Sequence, residues 1–338
     1  MSTGPRPKML ALPSGLLYDQ IMSPRAVEVL ESLGDIEWND TGRSLTQKEV
    51  LERIPGCTAI FTTWGAPNFD EELLAAAPDL RIIGHAAGSI KSFIPPVVFE
   101  RGIAVTHAAV TVADSVAEWT LTMMLMALRK VHIVDRAMQA GEAWPNYRAL
   151  TPLELGHKRV GVIGASMVGR TLIKLLKPFD PDIMVYDPYL SDERAAGLGV
   201  RRVDLDELMS TADVITNHAP TTEETGGMVT SRHWSSVKDG ALFVNTARAA
   251  AIDYDALLRE LQTGRITAAL DVFPLPEPLA EESPFRTLSN VILSPHAAGV
   301  TVESLLRMGE TVADEFVRFF AGQPLRYGVT ADMLRTMA

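Results

Sequence analysis

Short runs of β-branched and aliphatic residues alternate along the whole chain with segments whose apolar positions recur at helical spacing. That alternation is the pattern of parallel strands, buried on both faces, joined by helices that cover them. In the first third, strands are predicted at Met9–Leu12, Ile36–Trp38, Ala59–Thr62, Arg81–Gly84 and Ala104–Thr106. Helices are predicted between them, around Pro24–Leu33, Gln47–Ile54 and Asp70–Ala77. A single long helix is predicted from Ala113 to Gln139, where no proline or glycine interrupts the chain, before Gly141, Trp144, Pro145 and Asn146 break it. A second α/β series opens at Arg159–Gly164 and continues with strands at Ile183–Tyr186, Val214–Thr216, Leu242–Asn245, Thr267–Leu270 and Val291–Leu293. Thr301 to Phe320 then forms a long amphipathic helix, too polar for a membrane span, that is expected to return to the first unit and make that domain discontinuous.

Composition fits this picture. At roughly 150 residues per domain, 338 residues make two domains. Hydrophobic residues at 47% and charged residues at 22% are those of a globular protein, which excludes a disordered chain or a disulfide scaffold. Acidic residues outnumber basic ones 42 to 31, a formal charge of −11, so a nucleic-acid partner is not expected. Cys57 is the only cysteine and no Cys/His cluster has zinc spacing, so neither a disulfide nor a metal site is expected, and cytoplasmic residence is. Met1–Lys8, polar and carrying Pro5 and Pro7, reads as a tail rather than a signal peptide. The longest apolar run, Leu121–Leu128, falls far short of the ~20 residues of a membrane helix, so no membrane partner is expected.

Chemistry enters at the segment from Val160 to Arg170, which runs from a buried strand through glycine-rich chain into a helix. A dinucleotide fingerprint needs glycine for the tight turn, for backbone approach to the pyrophosphate and for helix–strand packing. Gly164 and Gly169 fill the first and third roles, while Ser166 stands at the middle position. Its hydroxyl could donate to a phosphate oxygen, and the amides of Met167 and Val168 open the helix. Alone, the segment reads equally as an ordinary strand–helix turn. Asp187 lies 23 residues beyond Gly164, close to the ~20-residue offset of a ribose-binding acid. With that acid the segment points to a nicotinamide dinucleotide, NAD in preference to NADP, although Asp187 ahead of Pro188 also reads as a solvated loop acid.

Four further segments occur in order. Arg101–Thr106 is followed by Val116-Ala117-Glu118 and Arg129; Val244-Asn245-Thr246-Ala247-Arg248 by Ile252-Asp253 and Ala256-Leu257. Ala268–Phe273 precedes Glu277-Pro278-Leu279, and Asn290–Gly299 contains Ser294-Pro295-His296. With the dinucleotide turn, these resemble the D-isomer-specific 2-hydroxyacid dehydrogenases, over about residues 80 to 310. The resemblance implies a discontinuous flavodoxin-like substrate domain of residues 1–107 and 299–338, an inserted NAD-binding Rossmann domain of residues 108–298, and a homodimer. It implies that Arg248 holds the carboxylate of a small 2-oxo or 2-hydroxy acid, that His296 is the general acid/base, and that Glu277 orients and charges the histidine. It also implies cofactor contacts from Asp271, Thr246, Ala247 and Gly299, and from the loop His218-Ala219-Pro220 with Thr225. Ala87, Gly88 and Ser89 match the loop whose amides face the substrate carboxylate. Three departures stand out: Ser166 itself, one extra residue between Asp271 and Glu277, and no Tyr-Asp-Asn after Gly88.

The residue types suit reduction of a 2-oxo acid without the family name. A guanidinium matches a carboxylate in a planar fork, and histidine exchanges protons in both directions near neutral pH. Each also has a plainer reading: Arg248 as a helix cap, Glu277 as an exposed loop acid, His296 as a strand-end histidine, His85 and His107 as structural. His218 packs beside a cofactor or does more, Trp64 lines a pocket or the core, Met123–Met126 is helix core, and Cys57 is a buried small residue. A non-catalytic NAD sensor of the corepressor kind, or a dehydrogenase of another small anion such as formate or phosphite, are the alternatives.

Overall fold

The computed structural model describes residues 6–337. The described chain divides into two compact units, one reaching from the N-terminal side to residue 112 and resuming at residue 300, the other of residues 113–299. The divisions fall five residues and one residue beyond the expected limits.

The first unit is built on strands β1 (Lys8–Ala11), β2 (Asp35–Trp38), β3 (Ala59–Thr62), β4 (Ile82–His85) and β5 (Ala104–His107). They pair in parallel in the order β5-β4-β3-β1-β2, and the short strand Gly328–Val329 adds antiparallel to β5. This is the flavodoxin-like order. Strands β3 and β4 are buried at every position, which is why they read as continuous apolar runs. The helix Val302–Phe320 lays Leu305, Met308, Val312 and Phe316 into the core on one face of this sheet. The discontinuity expected from its amphipathic pattern is thus present. Of the expected tail, Met1–Pro5 lie outside the described residues. The rest is not tail: Arg6 donates to the Glu31 and Gly34 carbonyls, and Lys8 begins β1.

The second unit carries β6 (Arg159–Ile163), β7 (Asp182–Tyr186), β8 (Arg201–Arg202), β9 (Val214–Asn217), β10 (Leu242–Asn245), β11 (Thr267–Leu270) and β12 (Val291–Leu293). All pair in parallel, in the order β12-β11-β10-β9-β6-β7-β8. This is a doubly wound Rossmann sheet, in which the chain reverses direction of winding between β6 and β9. A hydrophobic core lies on each face. Met123 and Met124 are buried in one of them, as their run suggested.

The uninterrupted helix expected over Ala113–Gln139 is two helices, Ala109–Leu128 and Val131–Gln139. The break falls at Lys130, which adopts a left-handed conformation (φ 57°) and sends its Nζ to the Thr267 hydroxyl at 3.2 Å. The first helix ends without a glycine or proline, and the Leu128 carbonyl at its end accepts from the Leu153 N–H at 2.9 Å. Among the described residues no helix is long and apolar enough to cross a membrane, and no three His, Cys, Asp or Glu side chains gather as a metal site.

Candidate active site

In an open parallel sheet, ligands bind beyond the carboxyl ends of the strands where the winding reverses. In the second unit that place is the gap between β6 and β9, and the glycine-rich turn leaves β6 there. Gly164 has φ 92°, and a Cβ on it would come within 2.8 Å of the Ala219 nitrogen, in the loop that leaves β9. A Cβ on Gly169 would meet the Gly164 carbonyl oxygen at 2.3 Å. Both glycines are therefore required by close backbone approach, and Gly169 lies in the first turn of the helix Met167–Leu176. Ser166 caps that helix, its hydroxyl oxygen accepting from the Gly169 N–H at 3.3 Å. Its proton, and the N–H groups of Met167 and Val168 in the first turn, remain to face an anion. Met167 is 39% exposed at this edge.

Asp187 follows β7 and binds the turn from the side. Its carboxylate accepts from the Ala165 and Tyr189 N–H groups, each at 2.8 Å. The Tyr189 hydroxyl donates to Glu224 at 2.5 Å. His218 is buried; its Nε2 lies 2.9 Å from the Thr216 hydroxyl, while Nδ1 has no partner among the described residues. Burial pushes its pKa down to about 3, so the ring is neutral. Beyond it, Thr225 closes the loop by donating to the Pro220 carbonyl at 2.6 Å, and Ala219 N–H is bound by Asn217 Oδ1 at 3.2 Å. A glycine cradle, free helix amides, an acid at the next strand end and an orphaned imidazole nitrogen fit a dinucleotide.

The strands on the other side of the switch, β10, β11 and β12, deliver the remaining groups. Thr246 follows β10 with its hydroxyl 2.8 Å from that of Thr120, and Ala247 N–H is held by Asn245 Oδ1. Arg248 is largely buried, which pushes its pKa down while the charge of Glu277 pushes it up. One guanidinium N–H donates to the Ala247 carbonyl at 2.8 Å, and no carboxylate of the described residues lies within ion-pair distance. The other donors are unspent.

Asp271 follows β11 and is 2% exposed. Its carboxylate accepts from the Ser294 hydroxyl at 2.6 Å and from the N–H groups of Ala297 and Ala298 at 2.9 and 3.1 Å. Its carbonyl accepts from the His296 N–H at 2.8 Å. These bonds hold His296 in a left-handed conformation (φ 56°), uncommon for a residue with a side chain. The imidazole Nδ1 then lies 2.7 Å from Glu277 Oε2. Since a carboxylate only accepts, Nδ1 carries the proton and Nε2 is left open. Glu277 Oε1 accepts from the Phe273 N–H at 2.9 Å. Partial burial raises the Glu277 pKa, but the bonds from His296 and Phe273 and the charges of His296 and Arg248 outweigh it, and the net shift is downward. The loop before Glu277 runs over the surface, and Leu275 in it is 87% exposed. The pair borders a cleft of about 420 Å³ lined by Phe273, Leu279, Leu293 and Pro295 among others. Gly299 ends this segment and the unit.

In the first unit, Ala87, Gly88 and Ser89 follow β4. The Ala87 carbonyl accepts from the Ala108 N–H and the Gly88 carbonyl lies 3.1 Å from His107 Nδ1. His85 is buried with Nδ1 2.9 Å from the Thr62 hydroxyl, and burial with the charge of His107 lowers its pKa to about 3. Trp64 is 44% exposed and so is not core, and Cys57 is buried. Sequence reasoning missed Ser294, Phe273 and Tyr254, whose polar groups hold the loops of the site. The signal available was weak: an asparagine at the end of each of two successive buried strands, Asn217 and Asn245.

The chain is similar to known proteins of one family. Residues 121–298 match the family model described as the NAD binding domain of D-isomer specific 2-hydroxyacid dehydrogenases. A D-3-phosphoglycerate dehydrogenase of Archaeoglobus fulgidus is 34% identical over 93% of this chain, which spans 59% of that protein's length. A glyoxylate reductase of Korarchaeum cryptofilum is 31% identical over 85% of this chain and 86% of its own. The solved structure of a phosphoglycerate oxidoreductase from Rhizobium etli superposes with a TM-score of 0.78 at 29% identity, covering 96% of this chain and 98% of that one. With two parallel-sheet units, the glycine cradle and a matched sequence over more than half its length, the chain belongs to the D-isomer-specific 2-hydroxyacid dehydrogenase family.

Proposed function

We propose that this protein is an NAD-dependent oxidoreductase that interconverts a small 2-oxo acid and its (R)-2-hydroxy acid. The observation that carries the reading is the His296–Glu277 pair at 2.7 Å, whose carboxylate charge acts on Arg248, a desolvated guanidinium with no ion pair among the described residues. Arg248 would take the substrate carboxylate in its unspent fork and so fix the carbonyl carbon in place. His296 would present Nε2–H to the carbonyl oxygen and give up that proton as the oxygen becomes an alkoxide. Glu277, held ionised by its bonds, would keep the ring in one tautomer and stabilise its charged form. In the reverse direction neutral His296 takes the hydroxyl proton. When bound, NADH supplies the hydride; the protein supplies geometry and field.

Gly164, Ser166, Met167, Val168 and Gly169 would hold the pyrophosphate. Asp187 would take the ribose hydroxyls and repel a 2′-phosphate, and His218, Ala219, Pro220, Thr225, Thr246, Ala247 and Gly299 would line the cofactor. Asp271, with one carboxylate lone pair left over, would meet the nicotinamide as well as aim His296. For the first unit we propose substrate binding by Ala87, Gly88 and Ser89, and for the chain a homodimer in the cytoplasm. Following NADH oxidation against a panel of 2-oxo acids tests the reading. Turnover of at least one is expected. Tight NADH binding with no turnover across the panel would instead make the protein a sensor.

A further inference from the structure

Beneath the candidate site three uncharged side chains are joined in a way the proposed reaction leaves unused. Asn217 and Asn245 end β9 and β10 at paired positions and are fully buried, and Tyr254, buried too, opens the helix Tyr254–Gln262. Asn217 Nδ2 donates to Asn245 Oδ1 at 3.1 Å and to the Arg248 carbonyl at 3.3 Å. Asn245 Nδ2 donates to the same carbonyl at 3.2 Å and to the Tyr254 hydroxyl oxygen at 3.0 Å. The Tyr254 hydroxyl donates in turn to the Val272 carbonyl at 2.6 Å. The amide oxygens of Asn217 and Asn245 accept from the N–H groups of Ala219 and Ala247. Every donor of the three side chains is spent. Turning either amide over would set its NH2 against a backbone N–H, so the direction of each bond is fixed.

We propose that Asn217, Asn245 and Tyr254 act as a positioning network for the reaction, locking the Arg248 main chain and the loop that carries Glu277 into one register. The proposal rests on the roles given above to Arg248, Glu277 and His296. Its physical core is one peptide plane. The Val272 carbonyl and the Phe273 N–H belong to the same rigid amide unit. Tyr254 grips one edge of that plane, and the other edge donates to Glu277 Oε1 at 2.9 Å, while Glu277 Oε2 holds His296. Rotation of the plane would turn the Phe273 N–H away from the carboxylate. On the other side, two amide donors converge on the Arg248 carbonyl and set the chain from which the guanidinium projects. A network that served only the stability of the core would have no reason to act through Glu277.

Tyr254→Phe removes one oxygen and keeps the ring, which packs edge-on against Phe285. Two measurements test the proposal. In the first, amide hydrogen exchange of the ligand-free protein is expected to show Phe273 losing protection at least tenfold in Tyr254→Phe while Ala269 in β11 is unchanged. In the second, a double-mutant cycle on kcat for oxo-acid reduction pairs Tyr254→Phe with Glu277→Gln. Tyr254→Phe is expected to lower kcat about tenfold, a barrier change of ~1.4 kcal/mol, in the unmodified background and by less than twofold once Glu277 is Gln. The Kd for NADH is expected to stay within twofold. Unchanged Phe273 exchange, or additive losses in the cycle, would overturn the proposal. If no 2-oxo acid is turned over, the proposed function falls, and the exchange measurement alone decides whether the network holds the loop. Should Tyr254→Phe not fold, Asn217→Ala paired with Arg248→Lys serves in its place. Less-than-additive losses in kcat/KM are expected, and additive ones would overturn the proposal.

Discussion

Asp271→Asn is the substitution that separates the turn carrying His296 from the rest of the sheet. Asparagine keeps the shape but offers one acceptor oxygen instead of two. Whichever way the amide is placed, its NH2 faces a donor: placed to keep Ser294 and Ala297, it meets the Ala298 N–H, 3.1 Å away in the unmodified protein. A hydrogen bond to a charged group contributes roughly 1.5–3 kcal/mol, and an N–H left unpaired in so buried a place costs ~1–3 kcal/mol more. Removing the buried charge gives part of this back, since a carboxylate at 2% exposure bears a desolvation cost of its own. A net loss of about 2 kcal/mol follows. For a domain of 150–250 residues that is a fall in Tm of roughly 4–8 °C. The turn also stores the left-handed strain of His296, on the order of 1–2 kcal/mol, and a weaker hold lets φ relax and draws Nδ1 from Glu277. Reductase kcat should therefore fall at least tenfold. Calorimetry and steady-state kinetics on the same preparation are the assays. A Tm within 1 °C of the unmodified protein together with unaltered kcat would mean that the Asp271 carboxylate does not hold the turn.

Asp187→Ala should shrink or reverse the preference for NADH over NADPH, read as the ratio of kcat/KM values; an unchanged ratio would place the discrimination elsewhere. Ser166→Gly gives up a helix cap but keeps the Met167 and Val168 amides, so the NADH Kd should change by less than tenfold, ~1.4 kcal/mol, and a larger change would make the hydroxyl a principal phosphate donor. His85 and His218 are both held neutral, with pKa values near 3, whereas an unfolded histidine titrates near ~6.5. The unfolded chain therefore takes up protons first as pH falls, and stability is lost between about pH 6.5 and 3, at up to ~1.4 kcal/mol per pH unit for each histidine. Melting curves should drop across that window and be flat in this respect above it; a Tm constant from pH 7 to 5 would contradict the assignment.

The parallel strands of both units were legible because burial on both faces leaves an apolar run with no alternation, as in Ala59–Thr62 and Val214–Thr216. The glycine turn was legible because each glycine answers a steric demand, at Gly164 and Gly169, that no other residue meets. What escaped depends on contacts distant in sequence. The helix break at Lys130, whose side chain reaches Thr267 137 positions away, has no glycine or proline to mark it, and the exposed pair Arg201–Arg202 has no apolar signature of a strand. Tyr254 looks like any residue opening a helix until the Val272 carbonyl is placed against its hydroxyl. The spacing from Asp271 to Glu277 showed in the sequence, but not that the Phe273 N–H holds Glu277 while Glu277 reaches His296.

In the proposed reaction the hydride goes to the carbonyl carbon of a 2-oxo acid and the proton goes from His296 to its oxygen. Reduction of an accepted 2-oxo acid with NADH deuterated at the transferable position tests it most directly, with the product resolved on a chiral column and analysed by mass spectrometry. The expected product is a 2-hydroxy acid of R configuration carrying one deuterium at C2, formed roughly 10²–10⁴-fold more slowly by His296→Ala that still binds NADH. A product of S configuration, a C2 without deuterium, or a His296→Ala variant as fast as the unmodified protein would contradict it.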